Sequence, residues 1–196
     1  AVDKGAELSS EMELFFELCP AEIIAVTGSD GKTTTTSLIN DMLTRGGYKC
    51  YLGGNIGTPL IYQVEEIKAE DKVVVELSSF QLHTMKKSPH IAVVTNVTPN
   101  HLDWHKDFQE YVDAKKAVFA NQKEGDRAVF NYDNEITKGF YDETPNGVYF
   151  SRTNKIDNGY GLNGDMIALF EGGNVKRDIL NVNDIYIPGV HNIENY

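Results

Sequence analysis

Residues 27–34 carry a group of residue types suited to holding phosphate. Their order is Thr27-Gly28-Ser29-Asp30-Gly31-Lys32-Thr33-Thr34, between an apolar run and a helix-like segment. The glycines let successive backbone N–H groups turn inward, Lys32 adds a mobile positive charge, and the start of a helix adds its dipole. A hydroxyl directly after such a lysine, here Thr33, is placed to bind Mg²⁺. The sequence therefore predicts a loop that cradles a triphosphate.

This loop is shorter than the P-loop pattern G-x-x-x-x-G-K-[ST]. That pattern requires a glycine five residues before Gly31, where this chain has Val26. The alternative is an ordinary strand-to-helix turn that happens to contain Gly-Lys. We favour phosphate binding because apolar strand, turn, Lys-Thr and helix follow one another in the order that such a site needs.

A triphosphate needs a divalent metal, and Mg²⁺ prefers hard oxygen ligands. Glu76 ends the apolar run VVVE, and ligands gather at the carboxyl ends of strands in open α/β sheets. Ser78 and Gln81 follow it with the same access. A glutamate that merely ends a strand in solvent is the alternative. Glu76 is the best carboxylate candidate for the metal.

Two further candidates are His101 and Lys115. His101 follows the apolar run IAVV and can ligate a metal or donate to phosphate, although a lone histidine is more often structural. Lys115 lies four residues after Tyr111, on the apolar face of a predicted helix, and its neighbour Lys116 points elsewhere. A lysine on that face either extends to solvent or is partly buried, with a lowered pKa and a reactive free amine.

Apolar runs alternate with helix-like segments along most of the chain. We expect residues 1–20 to be a linker with a short helix capped by Ser9 or Ser10. The predicted helices that follow are TTTTSLINDMLTR, ended by Gly46-Gly47, and 108–121. The predicted strands are IIAV, KCYL at 49–52, KVVVEL at 72–77, IAVVTNV at 91–97 and RAVFNY at 127–132. Such runs are typical of a parallel sheet covered on both faces.

After about Gly147 the sequence breaks into short β-prone pieces. They include VYFS, LNGDMIALFEGGNV and DILNVNDIYIPG, and Asn-Gly and Gly-Gly between such runs indicate hairpins. The predicted fold is therefore α/β, a mostly parallel P-loop-type sheet flanked by helices, with a small antiparallel β ribbon near the C-terminal end.

Composition limits the partners. The 196 residues have 18 Lys and Arg against 29 Asp and Glu, a net charge of −11, which argues against nucleic acid. We find no apolar run of about 18 residues and no secretion signal, so we expect a cytoplasmic protein with no membrane partner. Separately, we expect a monomer. Cys19 and Cys50 have no metal-ligand spacing, and we expect reduced thiols.

Six segments of the chain occur together, in this order and spacing, in one known family. They are TGSDGKTT, GGNIGTP at 53–59, ELSSFQL at 76–82, TNVTPNHLDWH at 95–105, YVDAKK at 111–116 and GVHNIENY at 189–196. Together they resemble the central ATP-binding domain of the Mur ligases, cytoplasmic enzymes that add amino acids to the peptidoglycan precursor. ELSSFQL is similar to the D-glutamate-adding branch, whereas the lysine- or diaminopimelate-adding branch reads more like EVSSHAL. We assign residues 1–20 to an interdomain linker and 21–196 to this central domain.

The resemblance implies roles for the phosphate loop and for two metal ions. Thr33 and Glu76 would ligate one Mg²⁺, and His101 the second. Lys115 would match a lysine that CO₂ converts to a carbamate, an anionic ligand of that second metal. The residues implied to hold the phosphates of ATP are Gly28, Ser29, Asp30, Gly31, Lys32, Thr33 and Thr34.

The resemblance also implies roles around this centre. Asn192 and Asn195 would reach the adenine. The residues implied to lie near the muramoyl substrate or the γ-phosphate are Asn55, Ser78 and Gln81. Asp30 departs from the family, in which asparagine is usual. A carboxylate there either weakens ATP binding or has a basic partner, and both interpretations stay open.

The implied activity is that of an ATP-dependent amide ligase. The full-length protein would activate the carboxylate of UDP-N-acetylmuramoyl-L-alanine as an acyl phosphate and join it to D-glutamate. An N-terminal UDP-binding domain and a C-terminal domain would lie outside these residues, which we expect to be catalytically inactive alone. Two alternatives stay open: another Mur or folylpolyglutamate-synthase-like ligase, and a P-loop nucleotide-binding module without ligase activity.

Overall fold

The structure, a computed structural model, describes residues 9–99 and 105–196. Its strands are β1 Glu22–Thr27, β2 Cys50–Gly54, β3 Lys72–Glu76, β4 Ile91–Val94, β5 Arg127–Asn131, β6 Gly147–Phe150, β7 Gly159–Asn163, β8 Met166–Glu171 and β9 Asn174–Asn181. Its α-helices are α1 Glu11–Leu18, α2 Lys32–Arg45, α3 Ser79–Leu82, α4 Phe108–Ala120, α5 Glu135–Phe140 and α6 Asn192–Asn195. The described strands form one sheet in the order β2-β3-β1-β4-β5-β6-β7-β8-β9.

The first part of this sheet is parallel, as the apolar runs predict. Every neighbouring pair from β2 to β7 is parallel, and all five predicted strands before residue 133 are present. Val73, Val74 and Val75 of β3 are fully buried, because helices or loops cover both faces of the central strands. The carboxyl ends of β1, β3 and β4 consequently meet at one edge of the sheet.

The C-terminal part confirms the hairpins and corrects their extent. The turns at Gly164 and at Gly172-Gly173 have positive φ and connect the antiparallel strands β7, β8 and β9. The segment VYFS is not part of this ribbon, because β6 pairs in parallel with β5 after the crossover through α5. The segment IYIPG, the end of the predicted β-prone piece DILNVNDIYIPG, follows a 3-10 helix over Val182–Asp184 and forms no strand.

The predicted helices are confirmed, and the ends of three of them are defined by particular residues. α2 starts directly after Gly31 and ends at Arg45, directly before Gly46, while the side chain of Asp107 caps α4 by accepting from the N–H of Glu110. Ser10 caps α1 by accepting from the N–H of Glu13. Apolar residues of α1, including Phe15, are buried in the same cluster as the strands. Within the described ranges, none of the helices is long and apolar enough to cross a membrane.

Candidate functional site

The phosphate loop, residues 28–34, lies where β1 ends and α2 begins. Its backbone is fixed from β4: the N–H of Ser29 donates to the carbonyl of Asn96 over 2.9 Å. The hydroxyl of Thr95 donates to the carbonyl of Asp30 over 2.6 Å, and the N–H of Asp30 donates to Oδ1 of Asn96 over 2.9 Å. Sequence reasoning missed Thr95 and Asn96, which follow the strand that pairs with β1.

Two glycines are required by the shape of this loop. Gly28 has a φ of 149°, and an added Cβ there would come within 1.9 Å of Oγ1 of Thr95. Gly31 has a φ of 82° and caps α2, and an added Cβ would come within 2.6 Å of Oδ1 of Asn195. Any side chain at either position would displace the neighbouring strand or α6. The glycines therefore let three segments approach one another closely.

Glu76, Thr33 and Asn55 form a hydrogen-bonded group in front of the loop. Glu76 is 2% exposed. Its carboxylate accepts from the hydroxyl of Thr33 over 2.7 Å and from the side-chain amide of Asn55 over 2.9 Å. The N–H of Asn55 also donates to the carbonyl of Glu76 over 2.8 Å. The structure thus brings together the two predicted oxygen ligands of one Mg²⁺, and the alternative of Glu76 in solvent is wrong.

Lys32 and Lys115 both contact backbone carbonyl groups of the phosphate loop. Nζ of Lys32 donates to the carbonyl of Ser29 over 3.0 Å. Nζ of Lys115, on α4, donates to the carbonyl of Gly28 over 2.9 Å. The second contact confirms that Lys115 lies on the packed face of its helix, while Lys116 is part-exposed and pairs with Glu143.

Lys115 is among the most deeply buried side chains that the structure describes, 1% exposed. Burial, and secondarily the charge of Lys32, lowers the pKa of Lys115 from 10.5 to about 7. Its ammonium also lies 4.6 Å from the centre of the Tyr111 ring. The amine therefore exists in large part as the neutral, nucleophilic form near neutral pH. Of the two alternatives left open by the sequence, burial is confirmed and extension to solvent is wrong.

Tyr111 also supports the loop, which the sequence did not indicate. Its hydroxyl and the hydroxyl of Ser29 share a hydrogen bond of 2.9 Å, and the Ser29 hydroxyl accepts from the N–H of Thr98 over 2.9 Å. Ser29 is buried, so its side chain faces the protein and its backbone forms the loop surface. α4 therefore holds the phosphate loop through Tyr111 as well as Lys115.

Asn195 and Asn192 lie next to the loop on α6. Oδ1 of Asn195 accepts from the hydroxyl of Thr35 over 3.2 Å, and its amide donates to Oδ1 of Asn192 over 2.8 Å. An open crevice of about 690 Å³ runs from Thr33 and Thr34 along α2 to Tyr196. This crevice connects the phosphate loop with the end of α6.

The other predicted residues have separate surroundings. Ser78 and Gln81 form a capping box for α3: the Ser78 hydroxyl accepts from the Gln81 N–H, and Oε1 of Gln81 accepts from the Ser78 N–H. Asp30 is exposed and has no ion pair within residues 9–99 and 105–196. His101 lies outside the described residues. In the described part, no three His, Cys, Asp or Glu side chains cluster as a metal site.

Comparison with known proteins gives a family and close relatives. Residues 26–196 match the Mur ligase middle domain. The chain is 60% identical over 197 residues to the UDP-N-acetylmuramoylalanine–D-glutamate ligase of Acetivibrio thermocellus, and 57% identical over 198 residues to that of Ruminiclostridium cellulolyticum. Each alignment covers 100% of this chain, which spans 42% of the length of these relatives.

Solved structures show the same fold at low sequence identity. A UDP-N-acetylmuramoyl-L-alanyl-D-glutamate–2,6-diaminopimelate ligase superposes with a TM-score of 0.69 at 23% identity, over 90% of this chain and 41% of that one. MurF from Acinetobacter baumannii superposes with a TM-score of 0.65 at 16% identity, over 92% and 41%. The arrangement of strands and helices is therefore one that occurs in part of each of these ligases.

The lowered pKa of Lys115 predicts a pH-dependent stability. Below pH 7 both folded and unfolded chains carry the ammonium. Between about pH 7 and 10 the unfolded chain still binds this proton and the folded chain does not, so stability rises with pH, by at most about 1.4 kcal/mol per pH unit. Urea unfolding across this range should show that rise for the wild type relative to Lys115→Met.

Lys116→Met is the matched control, one position along the same helix and part-exposed. Its free energy of unfolding should run parallel to that of the wild type over the same pH range. If the Lys115→Met profile also runs parallel to the wild type, the buried amine does not titrate as the structure indicates.

Proposed function

We propose that this chain, which belongs to the Mur ligase family and matches its middle domain, binds ATP and Mg²⁺ at the phosphate loop. In the longer protein it would serve an amide ligase that joins D-glutamate to UDP-N-acetylmuramoyl-L-alanine. The observation that carries the proposal is the hydrogen bond between Thr33, which directly follows Lys32, and the buried carboxylate of Glu76. This pair places hard oxygen ligands beside the loop that would hold the phosphates.

The loop supplies the groups that a triphosphate needs. The backbone N–H groups at the start of α2 and its dipole favour negative charge, and Lys32 adds a full positive charge. Nζ of Lys32 donates to the carbonyl of Ser29, so this contact would be exchanged for phosphate oxygens when nucleotide binds. Contacts from Thr95 and Asn96 keep the loop in shape beforehand, which reduces the cost of ordering it.

The residues present fit one Mg²⁺ next to the phosphates. Thr33 and Glu76 have oxygens 2.7 Å apart, and Asn55 donates to the other carboxylate oxygen, which fixes its orientation. Mg²⁺ would supply positive charge against the phosphate oxygens. A second Mg²⁺ held by His101 stays a proposal based on the family resemblance.

Lys115 is suited to the proposed carbamate. Carbamate formation needs a neutral amine, and burial lowers the pKa of Lys115 to about 7. The modified side chain would be an anion with two oxygen ligands in place of a buried cation. It would then exchange the contact with Gly28 for a metal ion or for other donors.

The reaction itself would take place between two anions, which repel one another. ATP would supply the phosphoryl group that activates the carboxylate of the muramoyl substrate, so that the amine of D-glutamate can displace phosphate. Lys32 offsets that repulsion and stabilises charge on the transferred group. Ser78, Gln81 and Asn55 lie at the same edge of the sheet, where the substrate carboxylate would approach. Asn192 and Asn195 would contact the base.

D-Glutamate is supported by the names of the close relatives, and by the segment ELSSFQL. The proteins from Acetivibrio thermocellus and Ruminiclostridium cellulolyticum are named as ligases for this amino acid. The chain does not include the parts of these relatives that lie beyond its 42% share of their length. Amino-acid choice is therefore proposed for the longer protein.

The proposed site predicts nucleotide binding by this chain. Titration calorimetry with a non-hydrolysable ATP analogue should show binding that depends on Mg²⁺. Lys32→Ala should weaken it about tenfold to a hundredfold, because a charge-assisted hydrogen bond contributes about 1.5–3 kcal/mol. Lys123→Ala, an exposed lysine at the opposite edge of the sheet, should bind as the wild type does. A folded wild type that binds nothing, or equal binding by Lys32→Ala, contradicts the proposed site.

Catalysis is tested in the longer protein. Release of ADP should require UDP-N-acetylmuramoyl-L-alanine and D-glutamate together, and L-lysine or diaminopimelate should not replace D-glutamate. Lys32→Ala, Glu76→Ala and His101→Ala should each lower kcat by about 10²–10³. A variant of near-normal rate would remove that residue from the mechanism. Turnover with another amino acid would favour another ligase of the Mur or folylpolyglutamate-synthase type. Tight nucleotide binding without turnover would favour a nucleotide-binding module without ligase activity.

The carbamate makes a separate prediction in that assay. Lys115→Ala should lose ligase activity and regain part of it on addition of acetate or formate, because a free carboxylate can occupy the place of the carbamate oxygens. Lys116→Ala, one residue along the same helix, should have a mild effect and no response to carboxylates. The reverse ranking of the two lysines would show that the modified residue is not Lys115.

A further inference from the structure

A polar network outside the phosphate loop connects the end of β5 with α6. Its first member is Asp133, which lies in the turn between β5 and α5. The sequence analysis assigned no role to this residue. Its carboxylate accepts four hydrogen bonds from the loop after β6, residues 151–154. The donors are the hydroxyl of Ser151 (2.5 Å), the N–H groups of Arg152 (2.7 Å) and Thr153 (2.9 Å), and the amide of Asn154 (2.8 Å).

These contacts keep Asp133 charged and the loop in one shape. Burial alone would raise the pKa of Asp133, but the hydrogen bonds from Ser151, Asn154 and the two backbone N–H groups lower it to about 2. A carboxylate with four donors cannot turn without breaking several of them. The backbone at Arg152 is therefore fixed relative to the sheet.

Arg152 continues the network to α6. Its Nε donates to Oε1 of Glu194 over 2.6 Å, and the two side chains are 29% and 24% exposed. Glu194 lies between Asn192 and Asn195, the two residues proposed to reach the base. The ion pair thus contacts α6 from the side of the β6–β7 loop.

α6 also contacts the phosphate loop and α2, through Asn195. Oδ1 of Asn195 accepts from the hydroxyl of Thr35, and the same atom lies 2.6 Å from the position that a Cβ on Gly31 would take. α6 has only four residues, and a helix of one turn has no stability of its own. Its position is therefore set by these two groups of contacts, together with the bonds that Asn192 donates to the carbonyls of Pro188 and Gly189.

We propose that Asp133, Arg152 and Glu194 are positioning residues that hold α6, and with it Asn192 and Asn195, at a fixed distance from the phosphate loop. The proposal rests on the proposed nucleotide site. By positioning α6, these residues would support binding of the base of the nucleotide. They would have no part in binding its phosphates. Loss of the ion pair would leave the loop intact and displace α6.

Two ligands separate these contributions. Titration calorimetry of the 196-residue chain with Mg²⁺ is carried out once with the non-hydrolysable ATP analogue and once with inorganic tripolyphosphate, which has no base. Arg152→Met and Glu194→Gln should each weaken binding of the analogue by about fivefold or more and leave tripolyphosphate binding unchanged. Lys176→Met is the control, since it breaks an exposed ion pair with Glu171 between β9 and β8, which involves no residue of α6, and should affect neither ligand.

The charge-swapped double variant Arg152→Glu with Glu194→Arg tests whether the two residues act through their pairing. It should recover most of the lost affinity for the analogue. Equal weakening for both ligands, no weakening for either, or no recovery in the swapped variant would each overturn the positioning role. Failure of the folded wild type to bind either ligand would instead overturn the proposed nucleotide site. Glu194→Gln, almost the same in shape, keeps the test decisive if Arg152→Met does not fold.

Discussion

A buried carboxylate must have hydrogen-bond partners, and Glu76 finds its partners on two other segments. The hydroxyl of Thr33, at the start of α2, and the amide of Asn55, after β2, both donate to it. Because Glu76 ends β3, an inner strand between β2 and β1, these contacts fix the start of α2 relative to the sheet. The carboxylate thus holds the end of the phosphate loop that enters α2, while Thr95 and Asn96 hold the part that follows β1. Any divalent ion bound there would replace a contact that already orients the same oxygens.

Two lysines border the loop with different consequences. Lys32 lies on its part-exposed side, where a phosphate group would arrive, whereas Lys115 lies behind it in the core and donates to the carbonyl of Gly28. Positive charge is costly in that buried position, which is why the pKa of Lys115 is lowered to about 7. Burial of this amine lowers the free energy of unfolding while it keeps the amine next to the loop. Groups with strongly shifted pKa values occur more often at functional sites than elsewhere.

The sequence predicted those parts of the site that depend on local order. The loop, the helix after it, Glu76 at a strand end and the packed face of Lys115 all follow from neighbouring residues and helical period. Contacts between segments that are distant in the chain could not be predicted from local sequence order. Asn96 accepts a hydrogen bond from Asp30 across 66 positions, and Arg152 donates one to Glu194 across 42. The pairing of β6 was wrong for a related reason, since four residues, each only partly buried, do not reveal whether their strand runs parallel or antiparallel.

A crystal structure of the chain with Mg²⁺ and a non-hydrolysable ATP analogue tests the central claim most directly. We expect the phosphates on the backbone N–H groups of residues 28–34, with Mg²⁺ bound by Thr33 and Glu76, and the base beside Asn195. Phosphates at another place, or a nucleotide bound while the Thr33 hydroxyl still donates to Glu76 and no metal lies between them, would contradict it.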